Sequence, residues 1–153
     1  MAHFFVAKPL TAESVDRAFT LAQAAVKGLE LDQWRRFARM CMSQGPTRGG
    51  IFIVENRART ILGLATYRIE PALGFKSVCS VENFVTFDLL DNKAVAKTLV
   101  RALESLARRQ GASAIRIAHT HGLSALGAPI DPLRDAGHCL DSILSFKRLR
   151  RRG

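Results

Sequence analysis

The segment D-N-K-A-V-A-K-T-L-V at 91–100 follows the apolar run V-C-S-V-E-N-F-V-T-F at 78–87. A strand that turns straight into a helix presents unpaired backbone N–H groups and the positive end of the helix dipole, which together suit an anion such as a phosphate. Such turns usually carry glycine, and this one has none. Asp91 can instead cap the helix with its own carboxylate, occupying the donors a phosphate would use and repelling its charge. Lys93 and Lys97 lie in the first turns and restore positive charge there. The segment thus admits two readings, an anion cradle with altered residues or a self-capped helix start.

Other reactive side chains form weaker sets. His119 and His121 make H-x-H at the end of a strand, which points both to one face, but no third ligand stands at a convincing spacing and no metal site is expected. Asp131 and Asp135 read as the caps and surface of a short helix. The three cysteines, Cys41, Cys79 and Cys139, are widely spaced, form no C-x-x-C pair and suit a reducing compartment as small buried side chains. No serine, histidine and aspartate arrangement is present, so hydrolase and thiol chemistry are poor fits.

Periodicity supplies the elements that must position these residues. The stretch 4–10 alternates and stops at Pro9, a short first strand. Thr11 caps a helix with Glu13 in its first turn, in which Val15, Ala18, Phe19, Ala22 and Val26 repeat at helical spacing until Gly28. A second helix spans 31–44 with Leu31, Trp34, Phe37 and Cys41 on one face. The runs 51–54 and 61–69, joined by the polar turn 55–60, read as an antiparallel hairpin. After a loop at 71–77 comes the strand 78–87. The clearest helix follows, with Val95, Leu99, Ala102, Leu103 and Leu106 on one face and Gly111 just past its end. A strand at 114–118, a short helix ending at Gly137 and a terminal strand within 139–149 complete the order. The result is a mixed α/β arrangement, antiparallel in its N-terminal half, with a β-helix-β crossover in its C-terminal half.

At 153 residues, 48% hydrophobic and 24% charged, the chain suits one domain over 1–149 followed by a basic tail at 150–153. No apolar stretch approaches the roughly 18 to 20 residues that span a bilayer, and the N-terminus lacks the pattern of a signal peptide, so a soluble, cytoplasmic protein is expected. The formal charge of +10 favours an anionic ligand. Tyrosine and tryptophan occur once each, so the basic residues are not interleaved with them as on a nucleic-acid-binding platform. Nucleic acid is therefore an alternative carried only by charge, chiefly the K-R-L-R-R-R run at 147–152.

The order of elements, together with I-L-G-L-A at 61–65, A-V-A-K-T-L-V at 94–100 and L-R-D-A-G-H at 133–138 followed by S-F-K-R-L at 145–149, resembles the GNAT superfamily of acyl-CoA-dependent N-acyltransferases. The resemblance runs from about residue 51 to 149. It implies a GNAT-like mixed central sheet flanked by helices, acetyl-CoA as cosubstrate and an amine as acceptor. In that family Arg/Gln-x-x-Gly-x-Gly/Ala binds the pyrophosphate through helix-start N–H groups. The pattern falls on Asp91, Asn92, Lys93, Ala94, Val95 and Ala96, of which only Ala96 matches, with Lys97 close by.

By the same resemblance Glu82 is the expected general base on the fourth strand, provided partial burial raises its pKa; a surface carboxylate is the alternative. Backbone N–H groups in the stretch from Val85 to Phe87 would stabilise the oxyanion. The family's thiolate-protonating tyrosine would fall on Leu133, leaving water, Ser124 or His121 to supply that proton. Gln33, Trp34 and Arg35 lie on the helix that lines the acceptor site, although Trp34 also suits the core. His138 takes a place that is usually bulky and apolar. The segment 137–149 has room for one strand where the family has two, which would let a second copy contribute a strand in a homodimer.

Overall fold

The computed structural model describes residues 4–118, 130–139 and 145–149. Its centre is a five-stranded sheet whose strands lie side by side in chain order: β1 (Phe5–Pro9), β2 (Gly49–Asn56), β3 (Ile61–Ala72), β4 (Phe75–Thr86) and β5 (Ala114–Ile117). The first four are antiparallel, and β5 pairs with β4 in parallel. That parallel pair requires a crossover, supplied by helix α3 (Asn92–Arg109). The expected α/β class with an antiparallel front half and one β-helix-β crossover is the observed one.

Alternation along the strands divides the core in two. Ile51, Ile53, Leu64 and Val85 pack on one face against helices α1 (Phe19–Ala25) and α2 (Leu31–Ser43), with Leu21, Trp34 and Ala38. Phe52, Val54, Ala65, Val81 and Phe84 pack on the other face against Val95, Leu99 and Leu103 of α3. Val81 and Phe84 face the same side although they are three residues apart, which strict alternation forbids. A β-bulge absorbs the odd residue. Thr66 pairs with Glu82 but Leu64 pairs with Val85, and between them Asn83 adopts φ +53.

Three elements differ from the sequence reading. The helix expected from Thr11 begins as two 3-10 turns, Ala12–Ser14 and Asp16–Ala18, before the seven-residue α1. The Val15 carbonyl accepts from Ala18 N–H at 3.2 Å and from the buried Trp34 indole N–H at 2.7 Å, so the chain winds in three-residue steps there. The loop expected at 71–77 is the tip of a hairpin, with only Leu73 and Gly74 outside the strands and Gly74 at φ +86. Its residues project beyond the core, so no apolar period marks them as strand. The terminal strand is not seen at 145–149, which have no regular secondary structure, and 140–144 lie outside the described residues. Helix α4 (Ile130–Asp135) precedes Gly137 as expected.

Gly63 brings the two halves of the sheet-helix layer close. A Cβ there would stand 3.2 Å from both Val54 Cβ and Val95 Cγ1, so a larger residue would push the start of α3 away from the sheet. At the opposite edge, the buried carboxylate of Glu55 pairs with Lys8 at 2.8 Å and Arg17 at 3.2 Å, joining β2 to β1 and to the first turns. Burial pushes its pKa up, but the hydrogen bonds and charges of Lys8 and Arg17 outweigh burial and hold it below 4.5. A carboxylate with a depressed folded pKa stabilises the fold above its unfolded pKa, and that contribution is lost as pH falls through the folded value. Glu55→Gln is therefore expected to cost about 2 kcal/mol at pH 7 in urea unfolding, with the gap to wild type closing below about pH 4. A gap that stays constant with pH would reject the ionic account.

Candidate functional site

β5 pairs only with residues 78–81 of β4, and the last link is Ala118 N–H to Val81 O at 2.9 Å. β4 runs on to Thr86 with β3 on one side and, among the described residues, no strand on the other. Phe87 N–H donates to Leu62 O at 2.8 Å, so that donor is spent on β3. Hydrogen-bonding direction alternates along a strand, which turns Val85 to β3 as well and turns the N–H groups of Phe84 and Thr86 to the open side. Of the stretch Val85 to Phe87, only Thr86 thus turns its donor to the open side, joined by Phe84, because the bulge at Asn83 resets the alternation. The Thr86 hydroxyl is buried at the end of this edge and lacks a hydrogen-bond partner among the described residues.

The loop after β4 leads to the N-terminus of α3. Asp91 Oδ1 accepts from Ala94 N–H at 3.1 Å, and Asp91 N–H donates to Asp88 Oδ2 at 2.9 Å. The self-capped reading of the sequence is therefore the geometry found, and an anion at this helix start competes with the cap. Favouring an anion are the small Ala96 and the exposed side chains of Lys93 and Lys97 on the first turns, whereas the methyl of Ala94 stands where close backbone approach to a phosphate suits glycine. Asn92 is half-buried. Val95 and Ala96 are in the core, so only their backbone could face a ligand.

On the other face of the sheet a pocket of about 180 Å³ opens between α2 and the central strands. Phe37, Met40, Cys41 and Gln44 form its helical wall, and Thr66, Arg68, Ser80 and Glu82 form its floor. Asn83 Nδ2 donates to Thr66 Oγ1 at 3.1 Å, and that hydroxyl donates to Glu82 O at 3.1 Å. The bulge is thereby tied to β3 beside the pocket. Glu82 itself is exposed and lies 3.8 Å from Arg68, so the burial that the base role called for is missing.

Gln33, Trp34 and Arg35 serve the scaffold instead. Trp34 is core, Arg35 grips Asp16 through two bonds of 2.9 and 2.8 Å, and Gln33 accepts from Glu30 N–H at 3.0 Å. The face of α2 that lines the pocket begins one turn later, at Phe37. Four polar residues escaped the sequence reading: Arg68, Glu70, Ser80 and Arg116. Their signal was the two-residue spacing of T-x-R-x-E at 66–70 and S-x-E at 80–82 within apolar strands. The Ser80 hydroxyl holds the Glu70 carboxyl below its usual pKa against the opposing effect of burial, with help from Arg116 and Arg68.

Burial raises the thiol pKa of Cys41, and that of Cys79 to about 11, which leaves neither as a ready nucleophile. Among the described residues no group of three His, Cys, Asp or Glu could hold a metal, and no helix is long and apolar enough to cross a membrane. Leu133 is buried in the α3 core, and half-buried His138 pairs with Glu104 at 3.0 Å. His119, His121, Ser124 and the tail at 150–153 lie outside the described residues.

No family model matches the chain, and no curated protein matches it. Solved structures do match in fold. Glucosamine-6-phosphate N-acetyltransferase from Arabidopsis thaliana superposes with a TM-score of 0.73 at 17% identity, covering 96% of this chain and 99% of its own. An aminoglycoside N-acetyltransferase solved in complex with CoA, AAC(6')-Iy, gives a TM-score of 0.79 at 14% identity over 98% of this chain and 97% of that one. Aminoglycoside 6'-N-acetyltransferase AAC(6')-Ih from Acinetobacter baumannii gives 0.74 at 14% identity over 96% and 99%. These neighbours are GNAT N-acetyltransferases, and the chain has their fold.

Proposed function

We propose that this GNAT-fold chain is an acyl-CoA-dependent N-acetyltransferase that moves an acetyl group from acetyl-CoA to an amine. The observation that carries this reading is the strand edge at Phe84 and Thr86, free of β5, next to a pocket that holds Glu82. Bound acetyl-CoA would supply an activated acetyl thioester. Backbone N–H groups at the start of α3, with Lys93 and Lys97, hold its pyrophosphate in competition with the Asp91 cap. The N–H groups of Phe84 and Thr86 face the open edge and stabilise negative charge on a carbonyl oxygen lodged there. Glu82, although exposed and without the burial first called for, stands in the pocket floor where it can take a proton from the acceptor ammonium, directly or through water. With Leu133 buried where the family's tyrosine would stand, water protonates the departing thiolate.

Calorimetric titration with acetyl-CoA at about 0.15 M salt tests this, with ATP and pyrophosphate as controls for general attraction of anions. Saturable one-to-one binding that the controls do not match supports the reading. Binding that the controls reproduce, or no binding, rejects it. Glu82→Gln is expected to lower kcat about 100-fold with an unchanged Kd for acetyl-CoA. Full activity in that variant would remove Glu82 from the mechanism.

The Asp91–Ala94 bond favours a second reading, a catalytically silent GNAT-fold domain whose helix start has replaced an anion with its own carboxylate. Failure to bind acetyl-CoA in the same titration is the outcome it requires.

A further inference from the structure

Four charged side chains stand on the pocket face of the sheet, and they are unequally committed. Arg116 is committed through two donors: its Nε donates to Ser80 Oγ at 2.9 Å, and a terminal nitrogen lies 3.1 Å from Glu70 Oε1, the same oxygen that takes the Ser80 hydroxyl at 2.6 Å. Arg68 is not. It stands 3.9 Å from Glu70 and 3.8 Å from Glu82, too far for a hydrogen bond to either. The side chains of Arg68 and Glu82 are 57% and 59% exposed. A guanidinium and a carboxylate therefore lie side by side in the pocket floor, each with its hydrogen-bonding capacity unused.

An α-amino acid carries the complementary arrangement, a carboxylate and an ammonium on one carbon. Its carboxylate suits the donor fork of Arg68 and its ammonium suits Glu82. Phe37 and Met40 on the facing wall offer an apolar surface to its side chain. The volume of about 180 Å³ is below the roughly 300–1,000 Å³ of sites for drug-sized ligands and suits a small molecule. We propose that the acceptor is a small α-amino acid with an apolar side chain, bound through its carboxylate to Arg68 and through its ammonium to Glu82; this rests on the acetyltransferase reading.

In the reaction the ammonium gives one proton to Glu82 and its nitrogen attacks the thioester carbon. The C–N bond forms, the C–S bond breaks, and the nitrogen loses a second proton. The thiolate takes up one proton from solvent, so one proton is released for each N-acetyl amino acid and CoA thiol formed.

The test uses wild type, Arg68→Gln and Arg68→Lys with phenylalanine and methionine, their amides and their decarboxylated amines. Transfer is followed by thiol release, and amino-acid binding is measured separately by calorimetry. In wild type, kcat/KM for the amino acid should exceed that for the decarboxylated amine by about tenfold or more, the loss of one charge-assisted hydrogen-bonded pair. Arg68→Gln should erase most of that ratio, and Arg68→Lys should restore part of it. Wild type that uses the amide or amine as well as the amino acid, or an Arg68→Gln variant that keeps the preference, overturns the proposal. If no compound accepts acetyl, amino-acid binding that weakens at least tenfold in Arg68→Gln upholds the site and overturns the transferase reading. Absence of such binding overturns the proposal whatever the transfer assay gives.

Discussion

The double change Lys93→Glu with Ala94→Asp is expected to weaken acetyl-CoA binding about tenfold or more at about 0.15 M salt while leaving the fold intact. Both positions lie in the first turn of α3, where acidic residues complement the helix dipole, so the substitutions favour the helix itself. Toward a pyrophosphate their effect has the opposite sign. They move the local charge by three units, and each unit pair at about 7 Å in water is worth ~0.6 kcal/mol. With two charges on the ligand the sum is about 3.6 kcal/mol unscreened, and salt at about 0.15 M reduces it to about 1.5 kcal/mol, or one decade in Kd. The carboxylate that replaces the Ala94 methyl would also lie beside the N–H already held by Asp91. Titration calorimetry with acetyl-CoA, alongside thermal unfolding of both proteins, reads the two effects separately. Unchanged affinity would place the pyrophosphate elsewhere, whereas loss of the folded state would contradict the helix argument.

Leu99→Ala is expected to lower stability by about 3 kcal/mol, roughly 6–12 °C in Tm for a chain of this size. Leu99 is fully buried among residues of the α3 core and belongs to the same helix whose N-terminus forms the anion cradle. Truncation leaves a cavity between the helix and the sheet that rigid β-strand neighbours cannot fill. Leu89, which is exposed in the loop just before that helix, provides the control, because Leu89→Ala removes no buried surface and should shift stability by less than about 0.5 kcal/mol. Equal losses at the two positions in urea unfolding would reject the assignment of the α3 face.

Periodicity by itself determined the long helices α2 and α3 and the central strands of this protein. Leu99, Leu103 and Leu106 recur at helical spacing because one helix face meets one sheet, and the runs 51–54 and 61–69 are apolar because both faces of the central strands are covered. Such burial stripes repeat within a single element, so neighbours in sequence carry the information. The Asp91 cap was legible for the same reason: donor and acceptor are three residues apart.

What only the tertiary structure decided lies between elements. The bulge at Asn83 depends on how β4 meets β3, and it turns the N–H groups of Phe84 and Thr86, rather than those of Val85 and Phe87, to the open edge. Trp34 was turned away from the pocket by a carbonyl at Val15, nineteen positions earlier. Arg68 and Glu82 became neighbours only when β3 and β4 came into register, since they stand on different strands and only Glu70 lies near Arg68 in its own local pattern. Cross-strand register and helix-on-sheet contacts are set by summed packing of distant residues, and no local spacing encodes them.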